Sequence, residues 1–211
     1  MPETTPPADE QPQPGLRERK KALTRRTIAD AAFTLTSENG LDSVTIDQIA
    51  DRAFVSPRTV SNYFPSKEAA IIAAHNNEPV EMLAGLTERP SDEQPLQSLR
   101  IVLTDAIRGW SKDQLKALKA KEDLVDRYPA LLPHRMAQFD ELEDAMRIAI
   151  AERTEADPET ATFPRLIAGA AVTAVKTAIR VWDNTGGDAA AIADLVDQAF
   201  VDLEAGLSPE A

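Results

Sequence analysis

Arg58, Thr59, Ser61 and Asn62, with Tyr63 next, put five hydrogen-bonding side chains into a stretch of six residues. Groups of this length and polarity reach base edges and phosphates of a nucleic-acid duplex. Other candidates for chemistry are poorer. His75 and His134 are the only histidines, they are far apart, and there is no cysteine. A zinc site needs more ligands close by, and thiol ligation or thiol catalysis is excluded. Asp140, Glu141, Glu143 and Asp144 could pair for acid–base work. Their place on the polar side of an amphipathic pattern reads more simply as a solvated face. Gly186-Gly187 has neither the preceding strand nor the following Lys-Ser of a phosphate loop, and no nucleophile elbow is present. No catalytic set, metal or cofactor is therefore expected.

The polar run needs elements to hold it. Thr45 precedes the apolar positions Ile46, Ile49 and Ala50, and Gln48 stands three residues after it. That is the capping-box spacing, so a helix is expected to start there. Ser56-Pro57 is a second start signal, a capping serine before a proline at the first helical position. Val55, Val60 and Phe64 give the second helix an inward face, which leaves Arg58, Thr59, Ser61 and Asn62 outside. Phe64-Pro65-Ser66 ends it, and Lys67 opens the next helix. The expectation is a helix-turn-helix; the plainer alternative is two surface helices whose polar face is only solvated.

Around this unit the chain reads as helices throughout. The fold expected is all-α: an N-terminal three-helix helix-turn-helix domain and a C-terminal helical body. Residues 1–15, rich in Pro, Gln and acid, should be disordered. Residues 16–72 should form the helix-turn-helix domain, with a first helix over 20–39, and residues 73–207 the body. A further helix is expected from Lys67 to about Leu86, then a proline-flanked loop over 89–95. Later helices centre on Leu99 to Trp110, Leu115 to Leu124, Phe139 to Thr154, Arg165 to Trp182 and Ala189 to Gly206.

The 211 residues carry a formal charge of −12, but unevenly. From Leu16 to Glu68 nine Lys or Arg face seven Asp or Glu; from residue 69 onward 14 bases face 25 acids. Arg17, Arg19, Lys20, Lys21, Arg25 and Arg26 lead into the first helix. As a cluster they suit phosphate contacts and salt-dependent binding; singly, each could be a solvated helix start. An acidic body would repel a polyanion and keep non-specific binding weak. No apolar run is long enough to cross a membrane, and the first residues do not read as a secretory signal. The cytoplasm is the expected compartment.

The stretch TIDQIADRAFVSPRTVSNYFPSKE, Thr45 to Glu68, together with Ile28 to Phe33 and Asn39-Gly40, resembles the TetR family of bacterial transcriptional regulators. The resemblance implies a homodimer on double-stranded operator DNA. It assigns Thr45, Thr59, Tyr63 and Lys67 to the DNA backbone and Arg58 with its neighbours Ser61 and Asn62 to bases; Arg25, of the basic cluster, joins the candidate DNA contacts. Phe54 departs from the family, which usually has glycine in the turn; either the turn differs or the ring recovers the cost by packing. Ser61 stands where an aromatic residue is frequent.

In this family the last two helices pair with their copies. Ala168, Ala171, Ala174, Val175, Ala178 and Ile179 are small or apolar enough for such packing, or for an ordinary internal core. The body, through LPHRMAQFDELEDAMRIAIAERT and FPRLIAGAAVTAVKTAIRVW, resembles a subgroup described as binding acyl-CoA-like ligands, and mycofactocin-associated regulators are similar in VSPRT and NYFPSKE. This implies an acyl chain among the body helices. Trp110, Tyr128, Phe139, Met146 and Trp182 could line a cavity for a small apolar or acyl-type ligand, or be plain core. Lys176 and Arg180 share a stripe that faces water or meets an anionic ligand. The expected function is an operator-binding regulator, a repressor released by its ligand. The rival is a helical enzyme or lipid-binding protein with a vestigial helix-turn-helix.

Overall fold

The computed structural model describes residues 15–75 and 79–207. Ten α-helices run through them: α1 (Leu16–Asn39), α2 (Ile46–Arg52), α3 (Pro57–Tyr63), α4 (Lys67–Ala73), α5 (Pro79–Met82), α6 (Pro95–Arg108), α7 (Lys112–Arg127), α8 (Leu132–Arg153), α9 (Thr162–Thr185) and α10 (Ala189–Glu204). No strand occurs among the described residues. The expectation for residues 1–15 lies, Gly15 apart, outside them.

The starts are set by side chains. Thr45 Oγ1 accepts from Gln48 N–H at 3.3 Å, and the Gln48 side chain accepts from Thr45 N–H at 2.9 Å. The capping box is complete, so two of the free donors at the start of α2 are satisfied. Ser56 caps α3 by accepting from Thr59 N–H at 3.0 Å, with Pro57 as the first helical residue. A second capping box, Ser111 with Gln114, opens α7.

Two apolar cores result. Ile28, Ala32, Ile49, Val60 and Ile71 bind α1 to α4 into one unit. Leu124, Val125 and Leu131, from the end of α7 and the 3-10 turn after it, complete that same core. The second core joins α6, α8, α9 and α10 through Leu99, Leu103, Ile107, Met146, Ile150 and Phe200. The N-terminal unit is thus seated on the body by buried apolar surface.

Three expectations change. The basic residues Arg17 to Arg26 lie within α1, which starts at Leu16 and not near residue 20. Lysine and arginine are good helix formers, so the cluster extends the helix and does not precede it. The helix expected over Lys67 to Leu86 is broken: Ala74 turns to extended backbone, His75 takes φ 54°, and a short α5 and a 3-10 turn follow. Finally, Ala168, Ala171, Ala174, Val175, Ala178 and Ile179 are buried in the chain's own core. The face of α9 turned outward is a different one, running through Phe163, Leu166, Ala170, Thr173, Thr177 and Val181. Arg165, Lys176 and Arg180 are exposed beside it, and Leu166 is 66% exposed.

Candidate nucleic-acid interface and body cavity

α3 stands out from the N-terminal unit with Val60 buried beneath it and Arg58, Ser61 and Asn62 exposed. Thr59 and Tyr63 are half-buried at its flanks, and Thr45 is exposed at the start of α2. Local bonds order the face. The Thr59 and Ser56 hydroxyls lie 2.8 Å apart, and the Ser61 hydroxyl donates to the Pro57 carbonyl at 3.2 Å. Arg25 reaches over from α1 with its guanidinium 4.8 Å from the centre of the Phe64 ring, a cation–π contact that holds the charge beside the end of α3. All of these side chains lie in one helical unit, and no acid, base and nucleophile converge among them.

Lys67 has a structural task within the chain. Its ammonium donates to the Leu41 carbonyl at 2.8 Å and to the Val44 carbonyl at 2.9 Å. It therefore clamps the start of α4 to the segment that leads into α2, with its charge next to the Thr45 cap. Arg52 is likewise engaged, with two bonds to Glu38 at 2.6 and 3.0 Å; that guanidinium holds the Glu38 carboxyl below its ordinary value.

Neither alternative for Phe54 holds. Its φ is 55°, the value a glycine would take, and Val55 N–H closes the turn onto the Ala50 carbonyl at 3.0 Å. The turn keeps its shape, yet the ring is 94% exposed and gains no packing. The strain stays uncompensated.

The body holds a cavity of about 100 Å³ between α5, α7, α8 and α9, with His75 from the turn after α4 at its wall. Trp110 and Phe139, both expected, line it. Tyr128, Met146 and Trp182 do not. Tyr128 belongs to the N-terminal core and lays its hydroxyl against Gly40. Met146 is fully enclosed in the body core, and the buried Trp182 gives its indole N–H to the Gly187 carbonyl at 3.2 Å. Each is large because it fills a core. The sequence reading missed the polar part of the wall: His75, Gln114, Lys121, Arg135 and Gln138. Lys121 is 3% exposed and Arg135 5%. Arg135 bonds Glu122 at 3.0 Å through Nε and Gln138 at 2.6 Å through a terminal nitrogen. Burial, with the Arg135 charge adding to it and Glu122 opposing, pushes the Lys121 ammonium down to about 7. Lys176 and Arg180 are exposed and border an open groove of about 660 Å³ on the other side of Phe139.

His75 joins this cavity to the N-terminal unit. Its ring meets Phe33 of α1 edge to face, with centroids 5.1 Å apart, and its Nδ1 lies 3.7 Å from Asp30. Nearby, the Gln138 amide donates to the Ile72 carbonyl of α4 at 3.5 Å.

A capped helix-turn-helix presenting a polar second helix, mounted on an acidic helical body, is the build of a DNA-binding transcriptional regulator. Known proteins agree. Residues 28–74 match the family described as bacterial regulatory proteins, tetR family, and residues 93–208 match the MftR C-terminal domain. The transcriptional regulator TcmR of Streptomyces glaucescens is 32% identical over 174 residues, covering 80% of this chain and 77% of TcmR. The transcriptional repressor KstR of Rhodococcus jostii is 31% identical over 91 residues, 43% of this chain and 42% of KstR. In fold, the chain is similar to a TetR transcriptional regulator from Rhodococcus sp. RHA1, with TM-score 0.54 and 21% identity over 89% of this chain and 100% of that one. It is also similar to SmeT of Stenotrophomonas maltophilia in its triclosan complex, with TM-score 0.55 and 21% identity over 86% and 91% of the two chains. The chain belongs to the TetR family of bacterial transcriptional regulators, with an MftR-type C-terminal domain.

Proposed function

We propose that this regulator is a homodimeric, cytoplasmic repressor that leaves its operator when a small molecule fills the body cavity. Arg58, Ser61 and Asn62 read base edges, while Arg25, Thr45, Thr59, Tyr63 and Lys67 hold the DNA backbone. The exposure of the first set and the placement of the second around it support this assignment. Dimerisation uses α9 and α10. The exposed apolar side chains of Phe163, Leu166 and Val181 on α9 and Val201 on α10 support it, because exposed apolar surface marks contact sites. A two-fold dimer then sets two copies of α3 about 34–36 Å apart, in successive major grooves.

The observation that carries the ligand reading is the position of His75. It lines the cavity, follows α4, and packs on α1. A molecule in the cavity pushes directly on the joint between body and DNA-binding unit. Release requires that the ligand prefer the form with wrongly spaced heads, so ligand and operator must weaken each other equally. Fluorescence anisotropy on the DNA upstream of the protein's own gene, with and without ligand, tests this. The expected result is a lower operator affinity with ligand and an equal loss of ligand affinity with operator; identical ligand affinity with and without operator defeats the mechanism.

A further inference from the structure

Phe54 carries two costs at one residue. Its backbone is left-handed, with φ 55°, and its ring is 94% exposed. A lone exposed apolar side chain is ordinary on a protein surface; a bulky residue at positive φ is not. Glycine would take the same turn without strain. Among the described residues from Leu41 to His75, no other large apolar side chain is exposed: Leu41, Ile49, Val60, Phe64 and Ile71 are all buried. Backbone strain that a simple substitution would relieve collects at functional sites.

The turn holds the ring firmly. Ala53 N–H donates to the Ile49 carbonyl at 2.9 Å, Phe54 N–H to the Asp51 carbonyl at 3.2 Å and Val55 N–H to the Ala50 carbonyl at 3.0 Å. Ala53 is buried and Val55 half-buried, so of the three only Phe54 stands out into solvent. Two residues further on Ser56 caps α3, and Pro57 and Arg58, its first helical residues, are exposed. The Phe54 backbone thus lies at most about 7 Å from the start of α3.

The chemistry of a duplex selects the contact. The major groove offers charged phosphates, polar base edges and one apolar projection, the C5-methyl of thymine. The outward face of α3, with Arg58, Ser61 and Asn62, has no large apolar group to meet that methyl. Phe54 has one, presented on a fixed turn beside it.

We propose that Phe54 is a specificity-determining residue for operator binding, its ring laid against the methyl of a thymine at the lip of the major groove that α3 enters. This rests on the placing of α3 in that groove. Contact takes ring and methyl out of water together. It also accounts for a residue that lowers stability: the ring contributes to binding what its backbone costs the fold.

The test uses the full-length protein and a duplex that the wild type has selected from a random pool. The duplex is prepared with thymine and again with uracil throughout, which removes every methyl and leaves the pairing intact. Fluorescence anisotropy gives affinities for wild type, Phe54→Gly and Phe54→Tyr, and urea denaturation is followed for each. Wild type and Phe54→Tyr are expected to bind the uracil duplex at least about four-fold more weakly, as the loss of one buried methyl group implies. Phe54→Gly should bind the thymine duplex more weakly by about that factor or more, lose markedly less than wild type on the change to uracil, and unfold at the same or a higher urea concentration. A firmer fold with weaker binding is not what a merely structural residue gives. Phe54→Gly binding the thymine duplex as tightly as wild type overturns the proposal. So does equal sensitivity of the two proteins to uracil, or a lower urea midpoint in Phe54→Gly, which would place the ring in the protein's own packing. Arg58→Ala, measured alongside, separates the failures. If it loses affinity where Phe54→Gly does not, α3 still reads the groove and only the thymine contact falls. If neither change matters, or no duplex is selected, the placing of α3 falls with it.

Discussion

Single residues in this chain show which costs the fold tolerates. Phe54 holds a left-handed backbone with its ring in solvent. Phe54→Gly should raise stability by about 1 kcal/mol, the strain of the bulky residue less the extra chain entropy of glycine; urea denaturation measures it, and a loss of stability would reveal packing for the ring. Lys121 is the second cost. Its ammonium is charged in both folded and unfolded chain below pH 7, so the burial penalty is fully present there. Between about 7 and its ordinary 10.5 the folded protein gives up the proton first, so this site's contribution to stability improves as pH rises. Lys121→Met should therefore raise the thermal midpoint most at pH 6 and progressively less toward pH 10; a gain independent of pH would mean that charge is not the cause. For DNA, Arg58→Ala should relax preference at particular base pairs by about 1–3 kcal/mol if its contact is bidentate. Tyr63→Phe should weaken every sequence alike. Lys67→Ala should do the same and also lower stability, because it releases the Leu41 and Val44 carbonyls.

Among the elements, the joints matter most. Tyr128, capping the end of α7, rests its hydroxyl where a side chain on Gly40 would project, and Gly40 has φ 80°. Gly40→Ala should lower stability by about 1 kcal/mol or more through backbone strain, and thermal unfolding would register it. The caps of α2 and α3 were legible in the sequence because capping is local: Thr45 with Gln48, and Ser56 with Pro57, act over three residues. The all-α body was legible from its periodicity. The break after Ala73 was not, since the apolar pattern continues past it and the turn depends on a left-handed His75 that no local signal marks. The cavity was half legible. Its aromatic members Trp110 and Phe139 were expected on size alone, and the same criterion wrongly admitted Met146 and Trp182, which fill the core. The cationic members carried an overlooked signal. Lys121 falls on the apolar stripe of Leu115, Leu118, Leu124 and Val125, and Arg135 on that of Phe139, Leu142 and Met146. A charge on an inward stripe is costly unless something meets it, and Arg135 is met by Glu122 and Gln138. On α9 the choice between a dimer face and an internal core stayed open, because periodicity shows an apolar side but not which partner covers it; Ala168, Ala171, Ala174, Val175, Ala178 and Ile179 fill the chain's own core.

At the scale of the whole molecule, charge and symmetry do the sorting. The acidic body repels DNA, while the weakly basic head, with its six lysines and arginines between Arg17 and Arg26, draws phosphates. Affinity should fall steeply with salt. Leu166→Glu, placed on the exposed stripe of α9, should turn the dimer into monomer and abolish tight operator binding while each head stays folded; sedimentation velocity with circular dichroism checks both. The most direct test joins stoichiometry to sequence reading. Purified full-length protein should be titrated onto the DNA upstream of its gene and onto scrambled DNA, as wild type and as Arg58→Ala. Two chains per site, strong preference for the natural DNA, and loss of that preference in Arg58→Ala are the results predicted. One chain per site, or a preference untouched by Arg58→Ala, would contradict the account at its base.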